Sequence, residues 1–389
     1  MELFEATTAH DIEKVLKLLE QSDLNVNYTQ KMKLLSHEGV TIERILHSLH
    51  IACREDSLQI VKLLLEDKRT NPNIQNDVGI TPFYVACSHG RYEIVKLMMK
   101  HPQVDVNKQN HDGGNPFYIA CQNGHTDIVK WMLADKRVLI NQQENNGCTP
   151  FYVSCSHGRL DVVKVLLQDK RVDVNLQERE QATPLYIACQ NGHTEIARLL
   201  VNSERVQVNL AEYTGATPLY IACQNGHLDI AKLMIENDRV DPNQQEIEGF
   251  APFHLSFLQT DLACLMIENA RVNLNQQSNY GKTALHSACS HARIHFFKQV
   301  LGSGRYINLS LKDETGFTVK QVAEHAKIGK LVALLTEYEK YPWKTIQRLR
   351  AEMGLMPITK QQKLMYFCAD GKIEELRKLL MANKTRKRF

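Results

Sequence analysis

"TPLYIACQNGH" occupies residues 183–193 and recurs unchanged at 217–227, and its last eight residues stand again at 118–125. The two full copies are 34 residues apart, as is each step between Pro82, Pro116, Pro150, Pro184, Pro218 and Pro252. The slot reaches back to Ser48 and forward to Ala284 and Val319, where the steps become 32 and 35. The short step reflects a loss of two residues in "LSFLQTDLACLM". A fixed period of this length marks a stack of small repeats, each burying its apolar face only against its neighbours.

Within one repeat the signals are local. Thr81 is a good helix N-cap, and Pro82 is preorganised for the first turn. "PFYVACSH" then predicts a short apolar helix that Gly90 ends in the left-handed conformation. "RYEIVKLMMK" predicts a second helix with Ile94, Val95, Leu97 and Met98 on its buried face. "VDVN" and a Gln- and Asn-rich stretch follow, usually with Gly three residues before the next Pro. That stretch predicts a turn. Gln181 replaces the Gly in one repeat, so that turn is expected to differ. The fold class expected is all-α, a solenoid of helix-turn-helix repeats with hairpin-like turns and helical caps.

A 34-residue period also fits tetratricopeptide repeats. Those need almost continuous helix, whereas here a long turn separates helix pairs. The repeat instead resembles the ankyrin repeat, whose opening "TPLHxA" appears as "TPLYIA" at Thr183 and Thr217. The resemblance covers roughly residues 1–341. Residues 1–46 read as a capping helix pair with an inserted loop around "YTQKMKLLSHEG". Residues 47–341 read as an array of about nine repeats, the last degenerate, and 342–389 as a helical segment, a capping helix pair and a basic tail.

Two departures stand out. The second helix ends in "EDKRT", "ADKRV" or "QDKRV" rather than in Gly, and Arg69, Arg137, Arg171, Arg205, Arg239 and Arg271 occupy that end. Cations there complement the negative end of the helix dipole. Tyr also replaces the His of the opening motif at Tyr84, Tyr118, Tyr152, Tyr186 and Tyr220, while His returns at His50, His254 and His286.

Composition narrows the function. The chain has 389 residues, 43% of them hydrophobic, and a formal charge of +3 with acids and bases interleaved. That balance predicts neither a nucleic-acid nor a membrane partner. "MELFEATTAHDIEKV" lacks the basic and apolar regions of a secretion signal, and ten cysteines then read as reduced thiols in the cytoplasm. "KTRKRF" at 384–389 adds a nuclear alternative.

Cys53, Cys87, Cys121, Cys155, Cys189, Cys223 and Cys289 share one slot late in the first helix, where the resemblance implies a small buried residue. Equivalent positions of packed helices lie too far apart for disulfides. No Cys or His spacing suits a zinc site, and no nucleotide-binding, metalloprotease or nucleophile motif is present. No catalytic residue, cofactor or metal is therefore expected. The resemblance implies that His125, His193 and His227 cap the second helix and tie adjacent loops.

It also implies a concave partner-binding face made of turn tips and first-helix ends. The candidate residues are His89, His111, Gln122, Asn123, His157, Arg179, Gln190, Asn191, Tyr213, Gln224, Asn225 and Tyr280. Tyr213 and Tyr280 are the expected aromatic anchors. The expected partner is a protein, and the chain is expected to be a monomeric scaffold or adaptor. Two alternatives stay open. "IQRLRAEMGLMPITKQQKLMYF" faintly resembles ubiquitin-ligase recruiting boxes, and the cysteine ladder could sense metal or redox state. Asn73, Asn107, Asn141, Asn175, Asn209, Asn243 and Asn275 form a further ladder that suits turns. Its setting resembles ankyrin asparagines that oxygenases hydroxylate.

Overall fold

The computed structural model describes residues 1–35 and 41–369. The chain divides into two compact blocks, residues 1–207 and 208–389.

The first block opens with a helix pair, α1 (Glu2–Thr8) and α2 (Ile12–Leu19). The inserted segment, expected to be a loop, is an antiparallel hairpin of β1 (Thr29–Leu35) and β2 (Thr41–His47), with Thr29 opposite His47 and Leu35 opposite Thr41. The alternation Lys31-Met32-Lys33-Leu34 has the period of a strand. An isolated hairpin is marginal in water. Here Leu46 joins Phe4 and Ile51 in a buried cluster that anchors it between cap and array.

Helix pairs follow: α3 (Ser48–Arg54) with α4 (Leu58–Glu66), α5 (Pro82–Ser88) with α6 (Tyr92–Lys100), and α7 (Pro116–Asn123) with α8 (Thr126–Leu133). The block ends with α9 (Pro150–Ser156), α10 (Leu160–Gln168), α11 (Pro184–Gln190) and α12 (Thr194–Val201). First helices stack on first helices, and second on second.

The second block holds α13 (Pro218–Gln224) with α14 (Leu228–Glu236), a 3₁₀ helix (Pro252–Leu258) with α15 (Thr260–Glu268), α16 (Ala284–Ser290) with α17 (Ile294–Gly302), and α18 (Val319–His325) with α19 (Gly329–Lys340). The missing two residues explain the 3₁₀ segment. No left-handed residue separates the two helices there; Gln259, extended at φ −139°, passes the chain straight into α15. The stack is closed by α20 (Pro342–Glu352), which packs on α17 and α19 through Ile346 and Leu349. Trp343 meets Tyr366 and Phe367 of α21 (Lys360–Ala369), with ring centroids 5.0 and 5.3 Å apart. The rest of the expected final helix pair and "KTRKRF" lie outside the described residues.

Local chemistry builds each repeat as its sequence suggests. The hydroxyls of Thr81, Thr149, Thr183 and Thr217 accept the N–H three residues on at 3.0–3.1 Å, and Asn115 does so at 2.7 Å. Just after Pro, Phe83, Phe117 and Phe151 are buried between neighbouring repeats. Burying each such ring is worth roughly 1.5–3 kcal/mol.

Candidate partner-binding face

The turns are joined side by side at their tips. In the first block His111 N–H donates to Val78 at 3.1 Å, Asn145 to Asp112 at 2.9 Å and Arg179 to Asn146 at 2.8 Å. In the second, Ile247 donates to Thr214 at 2.7 Å, Asn279 to Glu248 at 2.9 Å and Glu314 to Tyr280 at 2.8 Å. Most of these turns are closed from within by one side chain, Ser278 being an exception whose hydroxyl is buried without a partner. Asn76, Asn110, Glu144, Glu178, Glu246 and Asp313 each accept the N–H four residues on, at 2.8–3.0 Å. The tight approach needs φ > 0 at the next-to-last position: Gly113 lies at +83°, and a Cβ there would come within 2.6 Å of Asn145. Gln181 takes φ +62° and keeps the same turn bonds, so the expected difference does not occur. The bonds to Glu178 and Asn146 hold the backbone where only Gly is unstrained.

Sequence reading overlooked one ladder. Gln75, Gln109, Gln143 and Gln277 each donate through Nε2 to the carbonyl four residues on, at 2.5–2.7 Å. Gln75, Gln143 and Gln277 also reach the next repeat, at Gln109, Gln177 and Lys312, within 2.9–3.0 Å. The signal lay in the 34-residue recurrence of Gln, broken at Ala211.

The asparagine ladder does more than serve its own turn. Asn107 Nδ2 donates to Arg137 O at 2.7 Å while its Oδ1 accepts Leu139 N–H at 2.9 Å, and Asn141, Asn175 and Asn209 repeat the pattern. Each amide therefore cross-links consecutive repeats. The arginines likewise act on a neighbour. Arg137 donates to Met99 O at 2.7 Å, Arg171 to Leu133 O at 2.6 Å and Arg205 to Leu167 O at 2.7 Å. These carbonyls end the second helix of the preceding repeat, so the dipole being complemented is the neighbour's. Arg137 and Arg171 are also held by Asp135 and Asp169 at 2.6 Å, and those pairings keep both carboxyls below the usual range.

The first-helix candidates divide. His89 and His157 are exposed, and their Nδ1 atoms bond the carbonyls of Val85 and Val153 at 3.0 and 3.1 Å. Gln122 reaches His157 Nε2 at 3.3 Å. Asn123 and Asn191 do not simply face outward: their Nδ2 groups donate to Ser88 O at 2.8 Å and Ser156 O at 3.0 Å in the preceding repeat. His111 and Arg179 are exposed on tips linked through Asn145, and Gln190 is exposed. In the second block Gln224, Asn225 and Tyr213 are exposed, Tyr213 by 59%. Tyr280 is half-buried against Phe250, with centroids 6.0 Å apart.

His125 and His193 tie adjacent repeats, bonding Ser88 O at 2.9 Å and Ser156 O at 3.0 Å. Neither caps its own helix with its side chain. Arg91 and Arg159 make the same backward tie, to Arg54 O and Gln122 O. The ladder cysteines are buried. Cys53 and Cys87 pack on Met98 and Met132, and burial pushes their thiols up, away from the reactive thiolate. Among the described residues no group of three or more His, Cys, Asp or Glu could hold a metal ion, and no helix is long and apolar enough to cross a membrane.

A family model described as ankyrin repeats (3 copies) matches residues 3–110, 49–137, 100–178 and 170–246. A search of curated proteins found no match. The matched stretch ends just before the 3₁₀ segment, where the two-residue loss breaks the repeat register, although helix pairs continue to Lys340. With the matches spanning residues 3–246 and these cross-linked helix pairs, the chain belongs to the ankyrin-repeat family.

Proposed function

We propose that the chain is a non-enzymatic scaffold or adaptor that binds a protein partner through the concave face of its repeats. Ankyrin repeats are generally protein–protein interaction modules. The observation carrying the reading is the hydrogen-bonded row of tips in each block. It presents outward side chains on a backbone already ordered, so binding loses little conformational entropy. In the first block the face comprises His89, His111, Gln122, His157, Arg179 and Gln190, with Asn123 and Asn191 contributing less because they are bonded internally. In the second it comprises Tyr213, Gln224, Asn225 and Tyr280. The buried thiols suit a reducing compartment, cytoplasmic or nuclear.

The test is affinity enrichment with the full chain, Tyr213→Ala and Tyr280→Ala. At least one partner recovered by the parent should be lost with Tyr213→Ala, and less completely with Tyr280→Ala. Unchanged recovery of every partner by both variants would overturn the reading for the second block.

A further inference from the structure

On the second block two large apolar side chains stand side by side in water. Tyr213 is 59% exposed and Ile247 69% exposed, and the tips carrying them are joined by the 2.7 Å bond from Ile247 N–H to Thr214 O. Exposed apolar side chains on an ordered backbone favour association. The charge beside them has one sign. Glu246 and Glu248 flank Ile247; Glu248 is exposed and Glu246 half-buried.

No cation neutralises these carboxylates among the described residues. The ion pairs of this block, Lys298–Glu352, Lys320–Glu339, Arg348–Glu337 and Arg348–Glu352, all lie elsewhere. Arg271 and Arg305 are committed to backbone carbonyls at the ends of preceding second helices. Arg271 and Arg305 thus lie at the second-helix ends of their repeats, while the tips carrying Tyr213 and Ile247 bear Glu246 and Glu248. Burial pushes the Tyr220 phenol up to about 12, and Glu246 and Glu248 act in the same direction.

We propose that the tips bearing Tyr213 and Ile247 dock a cationic peptide segment of a partner protein, with an aliphatic or aromatic anchor set among its lysines or arginines. The proposal rests on the reading of this face as partner-binding and adds the chemistry of the partner. Lysine or arginine meets Glu246 and Glu248, while the anchor covers Tyr213 and Ile247. An anionic polymer, nucleic acid included, is repelled by the same carboxylates.

The test uses the full chain and three labelled peptides read by fluorescence anisotropy at physiological salt. One alternates Lys with Leu and Phe, the second has Glu for every Lys, and the third has Ser for Leu and Phe. Saturable binding is expected for the first, about tenfold or more weaker binding for the third, and none for the second. Glu248→Lys and the double variant Tyr213→Ala/Ile247→Ala should each weaken the first by about tenfold or more. These side chains are exposed and the tip bonds are backbone to backbone, so circular dichroism of both variants should match the parent. No saturable binding of the first peptide, equal binding of the second, or unchanged affinity in either variant overturns the proposal. If partner recovery still depends on Tyr213, only the cationic chemistry has failed. If no partner depends on it, the face itself was misread.

Discussion

His50 shows how one slot changes with its neighbours. At His254 and His286 the ring joins two repeats: Nδ1 accepts the N–H three residues back at 3.0 and 3.1 Å, and Nε2 bonds the next repeat at Lys282 O and Phe317 O. His50 keeps the forward bond, to Ile80 O at 2.8 Å, but its Nδ1 is buried without a partner. The residue three back, His47, is the N-cap of α3 but is also the last residue of strand β2, unlike Ala251 and Thr283. Burial then holds the His50 imidazole down to about 4, against 6.5 unburied. The sign follows. Between pH 6.5 and 4 the unfolded chain binds the proton and the folded chain does not, so stability is full above 6.5 and falls as the pH drops. The loss at His50 approaches roughly 3 kcal/mol at pH 4. Hydrogen exchange of α3 should speed up over that window, and His50→Tyr, the residue found at Tyr84, should flatten the response. An unaltered slope in the variant would assign the acid sensitivity to other groups. His254 and His286 are lowered by burial too and act in the same direction.

At the scale of elements, turn and helix ends respond differently to deviant sequence. Removing two residues converts a first helix to 3₁₀ geometry and leaves the following helix in place. Replacing a turn Gly by Gln181 changes no bond of the turn but holds a side chain at φ +62°. Gln181→Gly should therefore stabilise the first block by about 0.5–1 kcal/mol, the relief of strain being partly offset by a more flexible unfolded chain. Urea denaturation measures it; a neutral or destabilising result would mean that Gln181 makes compensating contacts. Helix ends are more tightly determined. The "DKR" junction works only because the preceding repeat presents its terminal carbonyls to the arginine. Its pattern was plain in the sequence, but the identity of the helix being capped was not, because the contact spans a whole repeat.

Across the whole molecule, the cysteine ladder reports repeat stacking. Cys53, Cys87, Cys121, Cys155, Cys189, Cys223 and Cys289 are buried, whereas Cys264 and Cys368 are exposed and Cys148 is half-buried. Brief native alkylation read by intact mass should modify Cys264 and Cys368 first. Cys148 should lag, because burial and its bond to Glu144 push its thiol up to about 12. Ladder thiols should follow only as individual repeats open, since repeat arrays unfold locally. Rapid modification of several ladder cysteines together would contradict their packing role. The same burial removes the ladder as a ready redox sensor. The segment 342–365, for its part, places Ile346 and Leu349 in the closing layer of the second block, and Arg348 is engaged with Glu337.

The repeat, its helix pair, the Thr caps and the burial of the cysteine slot were legible in the sequence alone, because they follow from local patterns that recur at a fixed period. Tertiary structure decided the rest. It made the insertion a hairpin, bonded Asn123 and Asn191 to the preceding repeat, and sent the arginines and asparagines to carbonyls some 30 to 38 residues away. It also joined the tips carrying Tyr213 and Ile247, which bear Glu246 and Glu248, in a chain whose composition is nearly neutral. The physical reason is common to all of these. A repeat satisfies its own backbone within each helix and caps its first helix locally, but its turn tips and second-helix ends carry further donors and acceptors that the adjacent repeat meets.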